Sequence, residues 1–123
     1  MQTFSVKKAT VLYIYNFFSV LIVPKYLVHF GCNCITALYK ENFIEIAAEQ
    51  KPDIIILDQF STSEIGFCRQ LKNNEKTTNI RLIVITFDIE IISKAVEAGV
   101  DAFLNAPVLR IELLKLNQPE IRS

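Results

Sequence analysis

The stretch KPDIIILD, residues 51–58, decides the fold of this chain. The Pro52-Asp53 pair predicts a turn, which leads into the apolar run IIIL and then into an acid, Asp58. A short apolar run that is rich in β-branched residues and bounded by turn signals predicts a strand buried on both faces. Open α/β sheets place their binding and catalytic sites beyond the carboxyl ends of the strands. Asp58 is therefore the first candidate for chemistry.

The length and composition predict a single domain that spans residues 1–123, without an output domain. Apolar residues make up 51% of the sequence, which suits a sheet covered on both sides. The 13 Lys and Arg residues balance the 13 Asp and Glu residues. Because binding to nucleic acid or to an anionic membrane rests on an excess of positive charge, we expect neither as a partner.

The cysteines, Cys32, Cys34 and Cys68, have no zinc-ligand spacing and form no CxxC motif. We interpret them as reduced thiols of a cytoplasmic protein that pack as small apolar residues. The lysines at 7 and 8 precede an apolar run at 9–23, as in a signal peptide. No small-residue cleavage site follows, and the run is too short to cross a bilayer. We therefore assign it to strand one and the start of helix one, with a signal or anchor as the alternative.

The rest of the chain alternates between short apolar runs and segments of helical period. We predict strands at 11–15, 32–37, 54–58, 81–86 and 102–104. Helices separate them: one that ends at Gly31, two at 42–50 and 63–73, and one between an Asp88 cap and Gly99. Ser63 is the predicted N-cap of the third helix, and a last helix runs from Pro107 to about 116. This alternation predicts an α/β fold, a three-layer doubly wound five-stranded parallel sheet with helices on both faces.

Four segments in this order resemble the response-regulator receiver domain of two-component signalling. They are PDIIILD at 52–58, CRQLK at 68–72, IRLIVIT at 80–86 and KAVEAGVDAFLNAP at 94–107. The resemblance covers nearly the whole chain, and the joint order and spacing of the segments make it specific. It implies a flavodoxin-like receiver fold with the strand order 2-1-3-4-5.

In that family a histidine kinase transfers a phosphoryl group to an Asp at the end of strand three, with the help of Mg²⁺. The resemblance places Asp58 at the phosphoacceptor position and Thr86 at the position of the switch hydroxyl. The family's acidic pair at the end of strand one, which holds the metal, is replaced by Tyr15 and Asn16. The lysine that pairs with the phosphoryl group is replaced by Ala106.

A hard divalent cation needs carboxylates, and this chain supplies one where the family supplies three. We expect no cofactor, no metal site and no enzymatic activity. The chain is interpreted as a pseudo-receiver that acts by protein-protein interaction in a phosphorelay. The expected partner is a histidine kinase, a phosphotransfer protein or a separate effector, and a homodimer is possible. Tyr15, Phe17, Phe18 and Phe60 are expected to fill the former acidic pocket.

Two alternatives stay open. The first is an atypical response regulator that a dedicated histidine kinase still phosphorylates on Asp58, in which case Mg²⁺ is required. The second is a flavodoxin-like domain that binds a small ligand. The segment YNFFSV after strand one contains no glycine, which disfavours a phosphate-binding turn there.

Overall fold

The strands of the computed structural model lie side by side in one parallel sheet, and the structure describes residues 9–16 and 22–107. The sheet has five strands in the order β2-β1-β3-β4-β5. These strands are β1 (Thr10–Tyr15), β2 (Asn33–Leu38), β3 (Ile54–Leu57), β4 (Arg81–Thr86) and β5 (Ala102–Asn105). The predicted fold and the strand order implied by the resemblance are both confirmed.

The helices of the described chain cover both faces of the sheet. They are α1 (Ile22–His29), α2 (Phe43–Gln50), α3 (Ile65–Asn73) and α4 (Ile92–Glu97), and short 3₁₀ turns at Thr62–Glu64 and Ile89–Ile91 precede α3 and α4. The predicted final helix lies outside the described residues. None of the helices described in 9–16 and 22–107 has the length and hydropathy needed to cross a membrane.

The alternation of side chains along β1 divides the core into two clusters. Leu12 and Ile14 point to one face and pack with buried residues of α2, α3 and α4. Val11 and Tyr13 point to the other face and pack with buried residues of α1. Successive side chains of a strand point to opposite faces, so a central strand that is buried on both sides must be apolar throughout. This explains the uninterrupted IIIL run of β3, in which every residue is buried.

Several predicted boundaries are wrong by small steps. β2 begins one residue after Cys32, β3 ends one residue before Asp58, and β5 continues through Asn105. The predicted N-cap Ser63 is also wrong, because Ser61 precedes the 3₁₀ turn and its N–H donates a 2.8 Å hydrogen bond to Glu64 Oε1. Ser63 lies inside the turn and donates its hydroxyl to Glu64 Oε2. A run of several hydroxyl residues before a helix leaves the capping position ambiguous in sequence.

The amino-terminal edge of the sheet is held by one lysine. Lys72 Nζ donates to the carbonyl oxygens of Thr78 and Ile80 and pairs with Asp101 Oδ2 at 3.0 Å. The same carboxylate oxygen accepts the N–H of Leu82 at 2.8 Å. The Lys72 side chain thereby connects α3 to the loops before β4 and β5. Because all of its partners are fixed, this side chain has little freedom to move aside.

We expect Gly99→Ala to lower the free energy of unfolding by about 1–3 kcal/mol. Gly99 has φ +105°, and a Cβ there would lie 2.5 Å from Lys72 Cγ. Gly66→Ala is the matched control, because a Cβ on Gly66 in α3 meets nothing within 4 Å. This control should stabilise the protein by up to about 1 kcal/mol, since alanine favours helix over glycine. Urea unfolding measures both, and equal effects of the two substitutions would contradict the account.

Candidate functional site

The carboxyl edge of the sheet brings together the residues singled out in the sequence. Asp58 directly follows β3, and its N–H donates a 2.9 Å hydrogen bond to the carbonyl of Ile14 in β1. Thr86 ends β4, and its carbonyl accepts the N–H of Ala106 at 2.9 Å. The parallel register therefore places the ends of β1, β3, β4 and β5 at one rim, where open α/β sheets form their sites.

Both carboxylate oxygens of Asp58 accept hydrogen bonds from the protein itself. Oδ2 accepts the hydroxyl of Tyr13. Oδ1 accepts the N–H of Gln59 at 2.7 Å. The backbone carbonyl of Asp58 accepts a third bond, 2.5 Å long, from the hydroxyl of Tyr39. The acid is thus held in place by neutral donors from β1, from the following residue and from the end of β2.

Tyr13 is the central element of this arrangement. Its side chain is fully buried in the middle of β1, and its ring stacks on Tyr15 with centroids 5.9 Å apart. Burial raises the pKa of the Tyr13 phenol far above its usual value, and the hydrogen bond to Asp58 and the Asp58 charge raise it further. The phenol therefore stays protonated and acts as a permanent donor to the carboxylate.

Sequence reasoning missed Tyr13, although the sequence contains a signal for it. Tyr13 lies between aliphatic residues in strand one, which the strand order 2-1-3-4-5 makes an interior strand covered by helices on both faces. A buried tyrosine hydroxyl almost always needs a hydrogen-bond partner. The nearest carboxylate on a neighbouring strand end is Asp58, so the pairing follows once the register is known.

Tyr39 supports Asp58 from the other face of the sheet. Its ring stacks on Phe67 of α3 at 5.8 Å and meets Phe43 of α2 edge-on at 6.0 Å. Burial raises the pKa of the Tyr39 phenol well above its usual value, and the charges of Glu64 and Asp58 add to the effect. Tyr39 was also missed, since a tyrosine after a strand reads as an ordinary loop residue.

The two positions that replace the acidic pair differ in role. Tyr15 is half-buried and packs on the α1 face through its contact with Tyr13. The Asn16 N–H donates to Gln59 Oε1 at 3.3 Å, across the gap between β1 and β3. Gln59 has φ +51°, a left-handed conformation that is uncommon outside glycine and marks a constrained loop.

The sequence predicts that four aromatic residues together fill the former acidic pocket. This prediction is wrong for Tyr15 and Phe60, the two of them that the structure describes. Phe60 is buried in the cluster on the α2, α3 and α4 face, whereas Tyr15 packs on the α1 face. Phe17 and Phe18 lie outside the described residues. In an extended chain residues 58 and 60 would lie on the same face of the sheet, but the left-handed conformation of Gln59 breaks this alternation.

Thr86 is buried and its hydroxyl is fully used by backbone groups. Oγ1 donates to the carbonyl of Phe60 at 2.9 Å and accepts the N–H of Asp88 at 3.0 Å. These bonds connect the loop after β3 to the loop after β4. Asp88 is an N-cap, as predicted, and accepts the N–H of Glu90, but it caps the 3₁₀ turn that precedes α4 and not α4 itself.

The donor set at this rim is a poor match for a divalent cation. Mg²⁺ requires several oxygen ligands, carboxylates above all, in near-octahedral geometry. Among the described residues no group of three or more His, Cys, Asp or Glu side chains is arranged to hold a metal ion. The Asp58 carboxylate accepts a hydrogen bond on each oxygen, and the residues that follow it across the rim at the end of β1, Tyr15 and Asn16, supply no second carboxylate.

The cysteines, which are free, offer no reactive group. Burial raises the pKa of the Cys34 thiol to about 11 and that of Cys68 to about 12. Burial also raises the pKa of Cys32. Only the thiolate is a good nucleophile, so thiols that remain protonated at neutral pH are inert.

We expect the free energy of unfolding to fall less steeply with rising alkaline pH in Tyr13→Phe than in the wild-type protein. The folded-state pKa of Tyr13 lies above the unfolded value of about 10. The contribution of this group is therefore complete below about pH 10 and declines as the pH rises further, by up to about 1.4 kcal/mol per pH unit. Urea unfolding between about pH 9 and pH 11 measures the slope. Tyr15→Phe, which removes a neighbouring hydroxyl and leaves the Tyr13–Asp58 contact in place, serves as the control. Identical slopes for the two variants would contradict the raised pKa of the Tyr13 phenol.

The chain resembles known signalling proteins in sequence and in structure. No protein-family model matches it. Over 88 residues it is 32% identical to the phosphate regulon transcriptional regulatory protein PhoB of Pseudomonas aeruginosa, which is 68% of this chain and 38% of that protein. The matched region therefore spans about two fifths of that relative's length.

Two solved structures show the likeness in three dimensions. The chemotaxis response regulator CheY4 of Vibrio cholerae superposes with a TM-score of 0.78 at 20% identity, over 89% of this chain and 96% of that one. The receiver domain of the sensor histidine kinase PA1611 of Pseudomonas aeruginosa, solved with a magnesium ion in its active site cleft, gives 0.75 at 18% identity, over 95% and 100%. The chain therefore has the fold of response-regulator receiver domains.

Proposed function

We propose that this chain is a receiver-like module of two-component signalling, without enzymatic activity, that acts through protein-protein interaction and not through Mg²⁺-dependent phosphorylation. One observation carries the proposal. The Asp58 carboxylate, at the phosphoacceptor position, accepts hydrogen bonds on both oxygens from the Tyr13 hydroxyl and the Gln59 N–H.

Electrostatics supports this interpretation. Phosphoryl transfer to a carboxylate brings together several negative charges, which a metal ion and a cationic side chain must offset. At the matching positions this chain has Tyr15, Asn16 and Ala106, none of which carries charge at neutral pH. Loss of one preorganised electrostatic group at a reacting centre typically costs about 3–4 kcal/mol of transition-state stabilisation, and here the metal ligands and the lysine are lost together.

The surface offers apolar side chains for protein partners. Phe87 and Ile89, in the loop after β4, are 78% and 66% exposed, and Val96 of α4 and Phe103 of β5 are also exposed. Receivers in general use such surfaces to contact histidine kinases, phosphotransfer proteins or effectors, and we propose a partner of this kind for this chain. The balanced charge of the sequence argues against nucleic acid and anionic membrane as partners, and we place the protein in the cytoplasm.

The alternative is phosphorylation of Asp58 by a dedicated histidine kinase. The observation in its favour is the position of an acid, Asp58, directly after the carboxyl end of β3. A partner would then have to displace Tyr13 and supply the missing cationic groups. In the signalling pathway, Asp58→Asn should abolish the response under this alternative and leave it intact under the main proposal.

We predict that the wild-type protein gains no phosphoryl mass when it is incubated with Mg²⁺ and phosphoramidate. The variant Tyr13→Phe, Tyr15→Asp, Asn16→Asp, Ala106→Lys restores the missing groups and frees Asp58, so it should become phosphorylated. Intact mass spectrometry measures both, and circular dichroism shows whether the variant is folded.

Adding Asp58→Asn to the restored variant is the matched control and should remove the gained mass. Phosphorylation of the wild-type protein on Asp58 by this small donor would refute the proposal regardless of how the variants behave.

A further inference from the structure

Within residues 9–16 and 22–107, the outer edge of β2 lacks the features that usually protect a sheet edge. β2 is the first strand in the order β2-β1-β3-β4-β5, and among the described strands only β1 pairs with it. Its sequence, NCITAL, contains no charged residue and no proline. Edge strands of soluble proteins are usually blunted by charge, proline, a bulge or a covering element, because an open edge can pair with another chain.

The hydrogen-bond pattern shows which residues of β2 face outward. The N–H groups of Asn33 and Tyr39 donate to β1 and its flank, at Ala9 and Tyr15. In a parallel ladder alternate residues of a strand bond to the same neighbour, so the N–H and C=O groups of Cys34 and Thr36 point away from β1. In the part of the chain that the structure describes, no group bonds to this outer side of Cys34 or Thr36.

The open stretch of the β2 edge ends at Leu38, where the chain turns toward Glu41. The outward N–H of Leu38 donates to Glu41 Oε2 at 3.3 Å. The open part of β2 therefore extends over the stretch around Cys34 and Thr36, which is enough for a short extended segment and not for a long intermolecular sheet.

A groove lies beside this open stretch. It has a volume of about 470 Å³, and the side chains of Cys34 and Thr36 form its floor next to one flank of α1. The α1 residues that line it are Pro24, Lys25 and Val28, and the Val28 side chain is 60% exposed. The same two strand residues thus offer backbone groups to a partner and line a mostly apolar groove for its side chains.

The positive charge of Lys25 indicates which side chain a partner would carry at the groove. Among the described residues that line the groove, Lys25 is the only charged one, and the α1 segment IVPKYLVH contains no acid. An acidic side chain on the partner would therefore meet a complementary charge. A second copy of this chain is disfavoured as the partner, because its own edge strand, NCITAL, carries no Asp or Glu that could pair with Lys25.

We propose that the open edge of β2 and the adjoining groove bind an extended segment of a partner protein by strand addition. Backbone bonds to Cys34 and Thr36 provide affinity, an apolar side chain enters the groove, and an Asp or Glu pairs with Lys25. This inference rests on the proposed role as a binding module, but it does not depend on whether Asp58 is phosphorylated.

The test is an amide NMR titration with two synthetic peptides, without Mg²⁺ or any phosphoryl donor. One peptide alternates threonine and valine around a central glutamate, and the other has lysine in place of that glutamate. We expect the glutamate peptide to shift the amide signals of Cys34, Thr36 and Val28 saturably. It should bind about threefold to tenfold more tightly than the lysine peptide.

Variants locate the contact. Thr36→Pro removes the outward N–H on an edge strand, where proline is tolerated, and Lys25→Glu reverses the groove charge. Each should weaken binding of the glutamate peptide by about threefold to tenfold. Lys76→Glu, at an exposed loop position on another part of the surface, is the matched control and should leave binding unchanged.

Four outcomes would overturn the inference. They are the absence of shifts at millimolar peptide, equal binding of both peptides, slow hydrogen exchange of the Thr36 amide in the free monomer, and concentration-dependent dimerisation that Thr36→Pro abolishes. Because the titration contains no phosphoryl chemistry, its failure leaves the account of Asp58 intact. Phosphorylation of Asp58 in the separate assay would likewise leave the peptide result standing.

Discussion

The contact between the Tyr13 hydroxyl and the Asp58 carboxylate is the interaction on which the interpretation of this receiver fold depends. A parallel sheet places the acid that follows β3 beside the end of β1, at a rim where a carboxylate is partly removed from water. An acid in that position needs a partner that favours its charged form or satisfies its oxygens. A neutral phenol, kept protonated by burial, meets this need here without a metal ion.

The rest of the rim is arranged around the same acid. Tyr39 binds the Asp58 carbonyl, the Asn16 N–H binds the Gln59 side chain, and Thr86 binds the carbonyl of Phe60. The loop after β3 is therefore tied to the ends of β1, β2 and β4. Conformational switching needs a group that interacts differently with two states. These contacts hold the loop in the described structure, and we propose that a switch in its conformation would require a partner or a modification that breaks them.

Local patterns in the sequence predict much of the fold and only part of the site. The IIIL run, the Gly99 stop and the Asp88 cap are short-range signals, and the structure has them where they are expected. Asp58 and Thr86 could be placed because strand ends are visible in the sequence. The Tyr13 contact joins residues 45 positions apart, so it depends on strand order and register and not on any local signal.

The errors have similar physical causes. The expectation that Phe60 fills the former acidic pocket fails because Gln59 adopts a left-handed conformation, and no glycine in the sequence signals that turn. Ser61 and Ser63 are equivalent as cap candidates until the partner, Glu64, is located. The position of β2 at the edge likewise cannot be read from the sequence. NCITAL has the pattern of an ordinary strand, and only the sheet order shows that no other described strand pairs with its outer side.

The most direct measurement is an amide NMR titration of the wild-type protein with Mg²⁺ and then beryllofluoride, which mimics a phosphoryl group and needs both the metal and a free acceptor carboxylate. The account predicts no saturable shifts at Asp58, Gln59 and Thr86, because the Tyr13 hydroxyl binds the Asp58 carboxylate and the acidic pair at the end of β1 is replaced by Tyr15 and Asn16. Saturable shifts that begin at Asp58 and reach α4 would show that the site works despite Tyr13, Tyr15, Asn16 and Ala106, and would contradict it.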